Sequence, residues 1–374
     1  MAKTAPLFEK IDAMVDGLIT SADDASVLSS TIPARKMLSL FMSLKKPFEK
    51  RILATFCTGH EDAITNLLQE LFASRQSLPY FQSMISLSYF YWNWLRQYPL
   101  KLTGKQIDEL TLSLIYGAIG YKLLDTFCDE ATGLTAPQAD VRASPRGNLI
   151  KNAQTLYLSK YLIACQESTL ARHFDNPVFF GSLQEKYGRL FCNFGVMELA
   201  CKYTSSPIKL TDSIQLGYKS APLMLYFSLA LEACGLKKAI PDYERIFFLT
   251  TSAIQIHDDI CDAVDDLQHG NITLATSEFV KTIDLPKLKG KPSDLKKAYT
   301  AYIETTVYDR TLFRAAEANL EEALAICRKY KDNMFELFIE SKLLGVLEKI
   351  NRREARHEKG QREQGKKNHR GTHR

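Results

Sequence analysis

No apolar run in the 374 residues approaches the roughly 20 that a bilayer span requires. The opening MAKTAPLFEKIDAMVDG carries no apolar core of the signal-peptide kind. Eight cysteines stand singly, at 57, 128, 165, 192, 201, 234, 261 and 327, without a CxxC pair. That pattern offers no disulfide framework and reads as reduced, mostly buried thiols of a cytoplasmic protein. The seven histidines also stand alone, so nothing has zinc-site spacing. Period-2 alternation of apolar and polar residues is rare, which leaves little room for strands. A global excess of charge is missing too. The net +5 comes from residues 351–374, where nine Lys/Arg against three Glu give +6 and leave −1 for the other 350 residues. The body therefore has no basic footprint for nucleic acid. The basic tail is expected to be disordered and solvated, with at most weak attraction to an anionic membrane surface or RNA.

What the chain does contain is helical periodicity, broken by short polar segments. The main helices are expected at about 105–130, 148–173, 178–203, 211–235, 242–269, 293–328 and 332–358. The fold class is all-α. One domain is expected over 1–350, with N-terminal helices in 1–78 and a catalytic bundle in 80–350, followed by the tail at 351–374. The breaker-rich stretch ATGLTAPQADVRASPRGN at 131–148 is long for a compact helical protein and reads as a lid.

Two helices carry chemistry. IHDDICDAVDD, 256–266, packs five aspartates into nine residues, with no Lys or Arg between Arg245 and Lys281. Like charges one turn apart destabilise a helix unless something compensates, and a divalent cation would. Asp258, Asp262 and Asp266, at i, i+4 and i+8, are the expected ligands, and Asp259 and Asp265 fall toward the edges of that face. The second helix, TLSLIYGAIGYKLLDTFCDE at 111–130, is apolar until Asp125 and Asp129. These two lie one turn apart on a face shared with Ala118, Tyr121 and Lys122. Buried carboxylates need partners, and carboxylate-only sites suit hard cations such as Mg²⁺. A solvated acidic face is the plain alternative for each helix taken alone. The His257-Asp258 pair would fit a metal phosphohydrolase only with further histidines upstream, where His60 and His173 alone are available.

Together these motifs resemble those of the class I isoprenoid synthases: prenyl diphosphate synthases, squalene and phytoene synthases, and class I terpene cyclases. Asp258-Asp259-x-x-Asp262 is similar to the second DDxxD motif, preceded by Ile254-Gln255-Ile256. LLDTFCDE resembles the first motif, with Asp125 and Asp129 at its outer positions. Lys219-Ser220-Ala221, before Pro222, is similar to the Lys-Thr-Ala at a kinked helix of prenyltransferases. Pro222 is expected to free the carbonyl of Tyr218 there. The resemblance covers most of residues 80–330.

The resemblance implies an all-α bundle around an apolar cavity. It implies a set of three Mg²⁺ ions, or Mn²⁺ in their place, held by Asp125, Asp129, Asp258, Asp262 and Asp266. Lys219, Arg142 and Arg146 would bind the diphosphate of a prenyl substrate, and Tyr121, Ala118, Tyr226 and Phe194 would line the cavity. The Gly-Lys-x-x-Arg segment and the Arg-Arg pair that hold isopentenyl diphosphate in chain-elongating members are absent. That absence favours single-substrate ionisation and cyclisation, a terpene synthase reaction. A head-to-head or chain-elongating prenyltransferase is the alternative. A non-catalytic prenyl diphosphate binder or partner subunit is the third reading. The sequence is compatible with a homodimer.

Overall fold

The computed structural model describes residues 90–133 and 145–371, apart from 92–93, 96, 99–101, 175, 205, 207–211, 270, 289–290 and 307. The side chains of Asp125, Asp129 and Arg146, and all of Arg142, lie outside the described residues. The only regular structure in the described part is helix, as the periodicity requires. In order come α1 (Gly104–Gly133), α2 (Pro145–His173), α3 (Pro177–Thr204), a 3-10 helix (Ser213–Ser220), α4 (Ala221–Ala233) and α5 (Ile240–Cys261). Then follow α6 (Ala263–His269), α7 (Leu285–Leu288), α8 (Pro292–Thr306), α9 (Tyr308–Tyr330) and α10 (Asn333–Gly371). Among the described residues no helix is long and apolar enough to cross a membrane.

The helix starts follow local chemistry. Thr103 and Gln106 form a capping box on α1: the Gln106 side chain accepts from the Thr103 N–H at 2.8 Å, and the Thr103 hydroxyl accepts from the Gln106 N–H at 3.3 Å. Asn176 accepts from the Phe179 N–H, Asp212 from the Ile214 N–H, and Asp332 from the Phe335 N–H.

The chain divides into two compact units, one within Met1–Ser182 together with Tyr226–Lys237, the other Leu183–Leu225 together with Lys238–Arg374. In the first, α1 packs along α2 at the closest range its backbones allow. A Cβ on Gly120 would lie 2.9 Å from Ile163 Cγ1 and 3.1 Å from the Ser159 carbonyl, and the Ser159 hydroxyl donates to the Gly120 carbonyl at 2.8 Å. Its aromatic core holds Tyr91, Trp94, Tyr226 and Phe227, all fully buried.

In the second unit α5 is flanked by the 3-10 helix and by α9, which buries Leu312, Phe313, Ala316, Leu320, Ala323 and Cys327. A small polar knot joins the three: Ser252 donates to the Ser213 carbonyl at 2.6 Å, and Asn319 Nδ2 reaches both Ser213 and Ser252 hydroxyls at 3.2 Å. A second cluster, Ala263, Leu267, Phe279, Leu295 and Tyr299, seats α6 against α8.

Three differences from the sequence expectation have physical causes. The 242–269 helix is interrupted at Asp262 (φ −98°, ψ 4°), although the Asp262 N–H still bonds to the Asp258 carbonyl and the Asp266 N–H to the Asp262 carbonyl, both at 2.9 Å. The break makes Asp265 and Asp266 first-turn residues of α6, where the helix dipole favours negative charge. Before Pro222 the chain winds as a 3-10 helix, and the Tyr218 carbonyl accepts from the Ala221 N–H, so proline does not leave it free. Finally, α10 continues to Gly371, through the segment expected to be a disordered tail.

Candidate functional site

The side chain at the centre of the acidic segment is Asp259, only 6% exposed. Taken as one regular helix, the segment puts Asp259 at the edge of the acidic face. In the folded chain α5 turns it inward, while Asp258 beside it is 57% exposed. Burial pushes the Asp259 carboxyl up to about 7; the Gln255 amide, donating at 2.7 Å, and the Lys219 charge oppose that rise, and Asp266 and Glu198 add to it. Three charged groups thus act on Asp259 of α5: Asp266 on α6, Glu198 on α3 and Lys219 on the 3-10 helix. Lys219 Nζ is 2.8 Å from Glu198 Oε1, with both side chains about two-thirds buried.

Gly217 delivers Lys219 to this place. A Cβ at Gly217 would overlap the Phe248 carbonyl oxygen and crowd the Thr251 hydroxyl, so the 3-10 helix lies directly on the backbone of α5. Two residues later the lysine emerges beside the turn of α5 that holds Asp259. The sequence shows the Lys-Ser-Ala element. It gives no sign of the Glu198 pairing, because Glu198 is one ordinary acid on a mixed helix.

Asp258 sits in a different setting. His257 Nδ1 is 3.5 Å from its Oδ1, and this bond, with the Cys261 contact, raises the imidazole to about 9. Lys342 on α10 carries its charge toward Asp258; burial lowers its ammonium. Asp262 is exposed at the end of α5, and partial desolvation, then Asp258 and Asp265, raise its carboxyl. Of the residues expected to line a cavity, Tyr226 and Phe194 are buried and Tyr121 and Ala118 half-buried. The Tyr226 hydroxyl lies 2.9 Å from Ser113 Oγ, and its carbonyl accepts from the Tyr91 hydroxyl at 3.2 Å. Arg328 pairs with Glu336 and Glu340, and the Tyr330 hydroxyl donates to Asp242.

The carboxylate oxygens of the acidic segment are the donor type a hard cation takes. Among the described residues no three His, Cys, Asp or Glu side chains converge to enclose an ion by themselves. Mg²⁺ keeps several waters and is held by one or two carboxylates plus substrate phosphate.

No protein-family model matches the chain, and no curated protein matches it in sequence. Solved structures do match in shape. A polyprenyl synthase from Caulobacter crescentus CB15, complexed with calcium and isoprenyl diphosphate, aligns at a TM-score of 0.55 with 13% identity, over 82% of this chain and 97% of that one. A geranylgeranyl pyrophosphate synthase from Lactobacillus brevis ATCC 367 aligns at 0.56 with 13% identity, over 83% and 97%. An octaprenyl pyrophosphate synthase from Helicobacter pylori aligns at 0.54 with 13% identity, over 83% and 99%. The fold is thus that of the all-α class I isoprenoid synthases.

Proposed function

We propose that the chain binds an allylic prenyl diphosphate through a divalent metal and transfers its prenyl group, as a prenyltransferase. The observation that carries the reading is the Asp259 carboxyl, buried in the acidic segment and acted on by Asp266, Glu198 and Lys219. The likeness in fold to prenyl diphosphate synthases supports transfer over cyclisation.

Asp259 and Asp266 would hold Mg²⁺ with the exposed Asp258 and Asp262 near the same turn. Asp125 and Asp129 enter the proposal through the resemblance of their motif alone, as do Arg142 and Arg146 for the diphosphate. When bound, the metal neutralises charge developing on the leaving diphosphate. The chain's own residues do the rest. Gln255 fixes the orientation of Asp259, and the Gly217 contact fixes Lys219. The Lys219 ammonium donates to diphosphate oxygens as a point charge, exchanging Glu198 for the substrate. Tyr121, Ala118, Tyr226 and Phe194 remain the proposed apolar lining.

A second reading, ionisation of a single prenyl diphosphate followed by cyclisation, is favoured by one observation: the missing basic segments for isopentenyl diphosphate. Incubation with geranyl, farnesyl and geranylgeranyl diphosphates and Mg²⁺, with and without isopentenyl diphosphate, separates the two. Longer diphosphates formed only with isopentenyl diphosphate support transfer by elongation. A hydrocarbon and free diphosphate from one substrate support head-to-head transfer if the carbon number doubles, and cyclisation if it is unchanged. Binding without turnover in every mixture overturns both and leaves a binding protein.

A further inference from the structure

Helix α10 runs to Gly371, and Phe335, Ile339, Val346 and Ile350 are its buried apolar positions among the described side chains. Beyond Ile350 the one aliphatic residue is Ala355. At about 100° per residue, Arg352, Arg356, Lys359, Lys366, Lys367 and Arg370 fall within a sector about 100° wide. Its centre lies about 120° round from the buried line by the same count. Earlier on this face Met334, Phe338, Ser341 and Lys349 are half-buried, and Gly345, Glu348 and Arg352 are exposed. Glu354 and Glu358 fall on the far side, and Glu363 alone interrupts the stripe. From Arg352 to Arg370 the stripe is about 27 Å long and straight, at 1.5 Å per residue.

We propose that this stripe docks the protein on the headgroups of an anionic lipid bilayer. A row of cations along one side of a helix, flanked by Arg353 and Arg362, can meet a plane along its length. A nucleic-acid groove is a poorer fit, because the rest of the chain sums to −1 and carries no basic footprint to continue the stripe. The lack of apolar residues makes the contact electrostatic, without insertion. Each Lys or Arg near such a surface is worth about fivefold in partition, so the stripe binds firmly at low salt and releases when screening shortens the Debye length. This proposal does not depend on the catalytic reading.

The test is cosedimentation of the full chain with phosphatidylserine-containing vesicles, against phosphatidylcholine alone. Binding to the anionic vesicles only, lost between about 0.1 M and about 1 M salt, is the expected result. Reversing five stripe charges, R352E/R356E/K359E/K366E/R370E, is expected to weaken partition at least ~100-fold. Reversing five exposed lysines elsewhere, K281E/K287E/K291E/K296E/K297E, is expected to leave most of it. Equal loss in both variants, no binding at low salt, or tighter binding to duplex RNA than to vesicles of matched phosphate would overturn the proposal.

Discussion

At the α1–α2 contact, glycine brings two helices together over neutral groups: Gly117 faces Gln166, and Gly120 faces the Ser159 carbonyl. At the contact of the 3-10 helix with α5, Gly217 does the same against Phe248 and Thr251, but about two turns further along α5 a carboxyl is buried at Asp259, and the 3-10 helix brings a lysine. The first contact spends its closeness on packing alone. The second lies on the helix that buries a carboxyl, which burial pushes up to about 7 against the Gln255 hydrogen bond and the Lys219 charge. Packing alone does not call for a buried carboxyl, so this is the contact that the proposed function uses.

The sharpest way to break the comparison is Asp259→Asn, which should move activity and stability in opposite directions. Loss of the carboxylate is expected to lower metal-dependent diphosphate release at least ~100-fold, the scale of one electrostatic contact in a transition state. The same change should stabilise the metal-free protein. A carboxyl near 7 when folded, against its ordinary 3.8, favours folding only while protonated. That favourable state holds fully below about pH 4 and is lost as pH rises through 7. At pH 8 the asparagine variant should therefore gain up to about 4 kcal/mol over wild type, and near pH 4 the two should match. Thermal melts across that range measure it. Adding Mg²⁺ at pH 8 should raise the Tm of wild type more than that of the variant; equal rises would remove Asp259 from the metal site.

Gly217→Ala and Gly117→Ala then set the two contacts side by side. At Gly217 the new methyl meets a backbone carbonyl that cannot swing away, and a loss of about 3 kcal/mol is expected. At Gly117 it meets the end of the flexible Gln166 side chain, and a loss of about 1 kcal/mol is expected. Denaturant unfolding of both checks the order. If Gly217→Ala keeps full stability, the 3-10 helix is not seated as described.

The helices and the acidic segment were legible because periodicity and charge clustering are local. The fold class followed from them and matches the solved synthase structures. The inward member of the aspartate set was not legible. A regular 100° register through 256–266 favours Asp258 and Asp262, but α5 ends at Asp262 and its buried side includes Ile256, Asp259 and Ile260. Which side of a helix is buried depends on its neighbours, here the 3-10 helix and α9, and those contacts are long-range. For the same reason the partner of Lys219 could not be read from the residues around it. The end of α10 was hidden differently: a polar segment with no apolar face carries no periodic signal, so its helicity escaped the pattern.

The smallest expected effect concerns Gln166, on the neutral side of the comparison. Its Oε1 is buried with no hydrogen-bond partner among the described residues, pressed against Gly117. A buried acceptor left unpaired costs free energy that an apolar side chain of similar shape would not. Gln166→Met is therefore expected to be neutral or to gain up to about 1 kcal/mol, with no change in metal-dependent turnover. The sign distinguishes the two contacts again. Removing the unpaired polar atom at α1–α2 should affect stability alone, whereas removing the buried carboxyl at Asp259 should raise stability at pH 8 and lower turnover at least ~100-fold. A turnover loss in Gln166→Met, with stability unchanged, would mean that this oxygen serves the substrate, and that the α1–α2 contact is no purely structural one.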